Sequence, residues 1–516
     1  MEFMEHLKNT LETDNNISIT ENGAVGYRTT GKKLLDLNFQ VSSLRNQSEQ
    51  KIEEKFTEVF CEDKLLAVKW LFFAGDVREG LGERRLFRIG MKCLARNNPE
   101  FAKAVLEWVP FYSRWDNLLC LLDSCLCDDI IEIIKRQLAE DRQHMSEEKA
   151  ISLLAKWLPS ANASSKETKR LAHIIIMKLD ISERQYRKML SKLRRYLKVV
   201  EVFMSKREWS QINYAAVPSR ANLLYNNAFL RNDKERRMCY LESLKKGETK
   251  IHAGVLFPHD IVHNYKKELY SYQLKELDNT LEELWKALPD YGTNDGNTLC
   301  VADGSGSMLS TIGGTQVRCL DVANSLAIYF AERSKGQFQN TYLTFSEHPQ
   351  IVDFKKAVSL KEKLIIASRH NEVANTNIEA VFDLILMTAI KQQMKQEELP
   401  QNILILSDME FDACVCCNAD GNYPTKPSKK LFHIFEERYQ KAGYQLPRLV
   451  FWNIGSQTGT IPIRQNDLGV ALVSGFSPNI VKMVLSNKTD PMAALLEQLQ
   501  SKRYDAIEQA IKDLIR

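Results

Sequence analysis

The sequence predicts an α plus α/β protein: a repeat-like α-helical array followed by a doubly wound α/β domain. Apolar residues recur at spacings of three and four from about residue 55 to 290. From about residue 296, short and nearly continuous apolar runs alternate with helix-length segments, the pattern of strands buried on both faces of a mainly parallel sheet. Between the two lies PDYGTNDGN, a cluster of turn formers. A chain of 516 residues is also too long for one ordinary core.

Residues 1–54 are more polar, and NISITENGAVGYRTTGKKLLDLNFQ shows little periodicity. An arm or loop packed on the helical body is expected there. Residues 55–290 are expected to form a helical domain. KLLAVKWLFFAGDV, LFRIGMKCLARN, FAKAVLEWVPFY, DIIEIIKRQLAED, EKAISLLAKWL, KETKRLAHIIIMKL, SERQYRKMLSKLRRYLKVVEVFMS and KELDNTLEELWKAL supply its helices. Their short breaks suggest antiparallel pairs; no clean period identifies a named repeat. In the last domain, 296–516, TLCVAD, TYLTFS, QIVDF, NILILSD, RLVFWNI and VALVSGF read as strands. VRCLDVANSLAIYFAERSK, IEAVFDLILMTAIKQQ and KLFHIFEERYQKAG read as the helices between them, and PMAALLEQLQSKRYDAIEQAIKDLI supplies the last helices.

Composition is that of a folded soluble protein, 44% hydrophobic and 26% charged. No apolar run is long enough for a bilayer, so no membrane partner is expected. MEFMEHLKNTLETDNN carries acidic residues and no apolar core, unlike a secretory signal, and a cytoplasmic location is expected. The 11 cysteines are odd in number and mostly scattered, which argues against a disulfide framework. Cys414, Cys416 and Cys417 with His433 fit no common zinc spacing. His259 and His263 read as core or cap residues, and Arg78, Glu83 and Arg84 as partners in buried ion pairs.

Charge is unevenly placed. Residues 1–150 hold 21 basic and 26 acidic side chains, residues 151–250 hold 22 and 9, and the remainder 27 and 31. The middle stretch is either a set of solvated helix faces or the footprint of an anionic partner, of which nucleic acid is the commonest. Its candidate RNA-binding residues are Lys166, Lys169, Arg170, Arg184, Arg187, Lys188, Lys192, Arg194, Arg195 and Lys198, with Tyr196, like Tyr186, interleaved for base stacking.

The sharpest motif is VADGSGSM, residues 301–308, after one strand and before a helix. Alternate residues of an extended turn aim Asp303, Ser305 and Ser307 at a common point, and all three are hard oxygen donors suited to Mg²⁺. Thr376 at a helix mouth and Asp408 after the strand ILILS fall at the carboxyl ends of the same sheet, where ligands gather. The set resembles the metal-ion-dependent adhesion site of von Willebrand factor A domains. That resemblance implies Mg²⁺ (or Mn²⁺ or Ca²⁺) held by the two serines, the threonine and the two aspartates, and a partner's acidic residue able to complete the site. Asn375 stands where many members have Gly.

GDVREGLGERRLF, SRWDNLL, AKWLPSANASSKETKRLA, VPSRANLLYNNAFLRND and KKGETKIHAGVLFPHDIV, together with SDMEFD, resemble domain of unknown function 2828 from about residue 20 to 500. The architecture is similar to the TROVE (Ro autoantigen-like) RNA-binding proteins, which implies RNA as partner and a helical array able to close into a ring. The expected function is a non-enzymatic RNA-binding scaffold with a metal-binding domain. The alternative is a metal-dependent protein–protein interaction module without nucleic acid.

Overall fold

A computed structural model describes residues 16–19, 25–268, 273–290, 297–313, 315–345, 349–370, 378–410, 431–461, 470–480 and 490–515. The chain is α plus α/β and divides into two compact units.

The α/β unit comprises residues 1–51 and 256–498. A small antiparallel hairpin, β1 (Ile17–Ile19) and β2 (Val25–Tyr27), opens it. Six further strands form one sheet: β3 (Thr298–Asp303), β4 (Thr341–Phe345), β5 (Ile351–Asp353), β6 (Asn402–Ser407), β7 (Arg448–Asn453) and β8 (Ala471–Ser474). Their order is β5-β4-β3-β6-β7-β8, parallel except for β5. The six strands are those expected from the apolar runs. Every residue of β3 and β8 is buried, as sheets covered on both faces require. The helix Cys319–Arg333 packs on β3, β4 and β6 and buries 13 successive residues, Cys319 to Ala331. Chain order runs outward in both directions from the β3–β6 pair, so a crevice opens beyond their carboxyl ends.

Residues 25–51 are not an arm on the helical body. The helix Lys33–Phe39 packs against β8. The Ser42 hydroxyl donates to the Asn453 carbonyl at 2.8 Å, and Asn453 Nδ2 donates to the Phe39 carbonyl at 3.1 Å. Tyr27 pairs with Ile461 through two backbone bonds of 2.8 Å. The helix Pro258–Tyr265 likewise packs on Cys319–Arg333, with Ile261, Val262 and Tyr265 buried, so the helical region passes into the α/β unit at Leu256 rather than near 290. His259 is buried there between Phe257 and Phe476.

The helical unit comprises residues 52–255 and 499–516. Lys64–Gly75 and Arg84–Asn97 pack as neighbours; at Gly90 a Cβ would lie 2.5 Å from Leu71 Cδ1, so glycine permits their close approach. Cys127–Ser146, Lys166–Lys178 and Glu183–Tyr196 follow. The expected helix over 182–205 is two, Glu183–Tyr196 and Val200–Ser205, broken where Lys198 takes φ +51°. The terminal helix Asp505–Ile515 belongs to this unit. Glu508 pairs with buried Lys69, and Arg503 and the Tyr504 hydroxyl bond buried Asp76. Tyr504 stacks on Tyr112 with centroids 5.5 Å apart.

Candidate metal centre and basic face

In the α/β unit, the carboxyl ends of β3 and β6 lie side by side, Ala302 opposite Leu406. They deliver Asp303 and Asp408 to one place, both essentially buried. Asp303 Oδ1 accepts from the Ser305 backbone N–H at 2.8 Å, and its Oδ2 accepts from the Ser407 hydroxyl at 2.6 Å. The Ser305 and Ser307 hydroxyls are 3.0 Å apart. Beyond β6 the backbone turns sharply. Met409, buried, takes φ +65°, a left-handed conformation that a bulky side chain rarely adopts. It is held by its N–H on the Ser407 hydroxyl at 3.0 Å, and the next N–H, of Glu410, donates to Asp408 Oδ1 at 3.2 Å.

Asp408 Oδ2 is left buried with no hydrogen-bond partner among the described residues. Burial, and next the negative charge of Asp303, push the Asp408 pKa up to about 8, although the Ser307 hydroxyl and the Glu410 N–H hold it down. Two carboxylates crowded this way, two hydroxyls beside them and an orphaned oxygen form a donor set that a small hard cation satisfies. Among the described residues no three His, Cys, Asp or Glu gather as ligands, so the hydroxyls are integral to the fit. Thr376 lies outside the described residues, as do Cys414, Cys416, Cys417 and the His433 side chain.

Sequence reasoning missed Glu410. It is buried, and its Oε1 accepts from the Ser456 hydroxyl and the Gln457 and Thr458 N–H groups, each at 2.9 Å. It ties the turn after β6 to the loop after β7. The signal available was a second acid two residues past Asp408.

In the helical unit, Ser182 and Gln185 form a capping box that starts Glu183–Tyr196. Tyr186, Leu190 and Leu193 point inward. Arg184, Lys188, Lys192 and Arg195, at spacings of four, four and three, share the exposed face and have no ion-pair partner among the described residues. Lys166, Lys169 and Lys198 are also exposed and without one. Arg187 is exposed 3.9 Å from Glu183, and Arg170 pairs with Asp123 and Glu167 at 2.7 Å.

Three expectations are corrected. Arg194 does not join the exposed face: it donates to the carbonyls of Ala155 and Leu158 at 2.8 and 2.7 Å and to the Ser160 hydroxyl at 2.9 Å. Tyr186 is core, its hydroxyl on the Pro159 carbonyl at 2.9 Å; only Tyr196 stays partly exposed, its hydroxyl on the Lys149 carbonyl at 2.7 Å. Arg84 forms a partly exposed ion pair with Asp116 rather than a buried one, and Arg78 donates to the Phe111 carbonyl at 2.9 Å. A cleft of about 530 Å³ lies against the basic helix, lined by Ala139, Arg142, Gln143, Met145, Ser146 and Lys192.

The chain matches the family models for domain of unknown function DUF2828, over residues 124–291, and domain of unknown function DUF7788, over residues 297–513. It is 30% identical over 526 residues to an uncharacterized protein of Acanthamoeba polyphaga mimivirus, covering 94% of this chain and 87% of that protein. Among solved structures it is similar to the Ro (RSR) protein of Deinococcus radiodurans, with 13% identity, a TM-score of 0.45, and coverage of 92% of this chain and 100% of that one.

Proposed function

We propose, for a chain that belongs to the family of domain of unknown function 2828 and of the mimiviral protein, the function of a non-enzymatic RNA-binding scaffold that also holds a divalent metal ion. The observation that carries the RNA reading is the stripe Arg184, Lys188, Lys192 and Arg195: cations at helical spacing on one exposed face, with no carboxylate to neutralise them among the described residues. Such a face gains most from a polyanion, because phosphate contact releases counterions. Arg142 brings one further cation to the adjoining cleft, which Lys192 also lines, and Tyr196 offers a partly exposed ring. In the α/β unit, Asp303, Ser305, Ser307 and Asp408 would hold Mg²⁺ or Mn²⁺, with Thr376 as the further donor implied by the motif. The ion, when bound, supplies a positive centre for a carboxylate or phosphate oxygen of a partner.

The orphaned Asp408 oxygen favours a second reading, in which the metal site captures an acidic protein partner and the basic face is merely solvated. Filter binding with single-stranded RNA separates the two. Affinity should fall with salt at a slope of about −0.7 per phosphate contact. Reversal of Arg184, Lys188, Lys192 and Arg195 to Glu should weaken binding to all sequences alike, since phosphate contacts carry little sequence information. Binding that ignores both salt and the reversal removes the RNA reading.

A further inference from the structure

The helical unit contains a second concentration of cations, outside the stretch rich in positive charge. Arg84 and Arg88, four apart on Arg84–Asn97, converge with Arg114 on a single carboxylate, Asp116. Arg114 donates Nε to Asp116 Oδ1 at 3.0 Å and Nη2 to Oδ2 at 2.8 Å. Arg88 reaches Oδ2 at 3.1 Å and the Asp116 carbonyl at 3.0 Å through Nη2. The Nε groups of Arg84 and Arg88 share Asn117 Oδ1, at 3.1 and 2.7 Å.

Three positive charges thus surround one negative charge. Asp116 and Asn117 engage the Nε and Nη2 edges of Arg84 and Arg88, and Asp116 those of Arg114. The three Nη1 groups have no acceptor among the described residues. The side chains remain 44%, 31% and 33% exposed. Arg114 also stacks on Trp157, its guanidinium carbon 4.1 Å from the ring centroid, which fixes the plane of the fork. Guanidiniums held in place by a carboxylate, with excess charge and spare donors, are prepared for a tetrahedral oxyanion.

We propose that Arg84, Arg88 and Arg114, organised by Asp116 and Asn117, form a phosphate-binding site, and that the phosphate it takes is a backbone phosphate of RNA. The identity of the phosphate's owner rests on the RNA reading above; the site itself does not. RNA is favoured over an isolated phosphorylated side chain because the cations continue. Lys92 is exposed one turn beyond Arg88. With Arg170, it helps hold the Asp123 and Glu167 carboxyls below their usual range, which places it near the helix carrying Lys166 and Lys169. The three arginines and these lysines therefore lie along one unit, as a strand of repeating phosphates requires.

The test uses the full chain with two probes. Inorganic phosphate, compared with chloride at equal ionic strength, should stabilise the parent in thermal unfolding, lowering the unfolding constant on the order of tenfold at about ten times its Kd. R84Q/R88Q should lose that response while keeping its circular dichroism, because Arg114 still pairs with Asp116. Should the double variant not fold, R88K retains the charge, gives up the bond to Asn117 and should respond weakly. Fluorescein-labelled single-stranded RNA, followed by anisotropy against salt, is the second probe; R84Q/R88Q should lower its salt slope by about 0.7 for each phosphate no longer held. A parent indifferent to phosphate, or an R84Q/R88Q variant that keeps the phosphate response, overturns the site. RNA binding untouched by R84Q/R88Q, with no phosphate response, overturns the site and leaves the RNA reading standing. A phosphate response abolished in R84Q/R88Q, with no RNA bound by the parent, upholds the site and removes the RNA reading.

Discussion

Arg194→Ala separates a bracing arginine from a binding one. The Arg194 guanidinium crosses from the helix Glu183–Tyr196 to the segment 155–160 and bonds two carbonyls and a hydroxyl. Ala155 and Leu158, which own those carbonyls, are 0% and 2% exposed, so water has little access to replace the missing donor. An acceptor stranded in this way costs about 1–3 kcal/mol. Two of them give about 2–6 kcal/mol, reduced because Arg194 is itself desolvated and regains hydration on unfolding; a loss of about 3 kcal/mol is expected. Arg194→Lys should recover little, since a single ammonium cannot span three acceptors as a planar fork does. Arg195→Ala, next in sequence but exposed and without an ion-pair partner among the described residues, should shift stability by no more than about 0.5 kcal/mol. Urea unfolding followed by circular dichroism measures both. Equal midpoints for R194A and R195A would refute the reasoning and return Arg194 to the exposed binding face.

Asp408 carries a pH dependence whose sign follows from its raised pKa. Between the ordinary value of 3.8 and about 8 the folded chain binds the proton and the unfolded chain does not, so metal-free stability should decline as pH rises through that window. D408N should flatten the decline when urea midpoints are compared across it in the presence of a chelator, and should abolish the heat of Mn²⁺ binding in calorimetry; a parent without either signature would exclude the metal centre. Gly90→Ala should destabilise the helical unit by about 1 kcal/mol, as overpacking against buried Leu71, about 1–3 kcal/mol, outweighs a gain of up to about 1 kcal/mol in helix propensity, measured by the same unfolding assay, and an unchanged or raised midpoint would show that Leu71 turns aside without cost.

Strands were legible because both faces of the sheet are covered: β3, β6, β7 and β8 are apolar nearly throughout, and such runs leave little alternative. Asp303 and Asp408 were legible for the same reason, as the first acids after such runs. What the sequence hid is long-range. Nothing local in GKKLLDLNFQ indicates that Phe39 and Ser42 bond with Asn453, more than 400 residues away (|i−j| of 414 and 411). The basic segment showed its charge but not its partners, and helical spacing alone does not tell a carbonyl-binding Arg194 from an exposed Arg195. The Arg84–Arg88–Arg114 cluster was invisible because Arg114 stands 30 residues after Arg84 and its segment, residues 1–150, is acidic as a whole, with 26 acidic against 21 basic side chains.

The interleaving of the two units sets an order on their assembly during synthesis. Asp76 is shaped for a guanidinium and a phenol that the ribosome adds 427 and 428 residues later. Until then the helical unit carries an unneutralised acid in its interior and a bare face on Tyr112, a cost typical of a broken buried pair. The segment at 25–51 waits almost as long for β7 and β8. Closing such long loops is thermodynamically cheap, about 0.6 kcal/mol for each doubling of length, but it comes late, because distant contacts repay their entropy only once both ends exist. Each unit thus holds a reserved place for a piece of chain made much later. A nascent chain interrupted after the last strand would leave the helical unit marked by its unsatisfied acid, open to the cell's disposal of unfinished proteins.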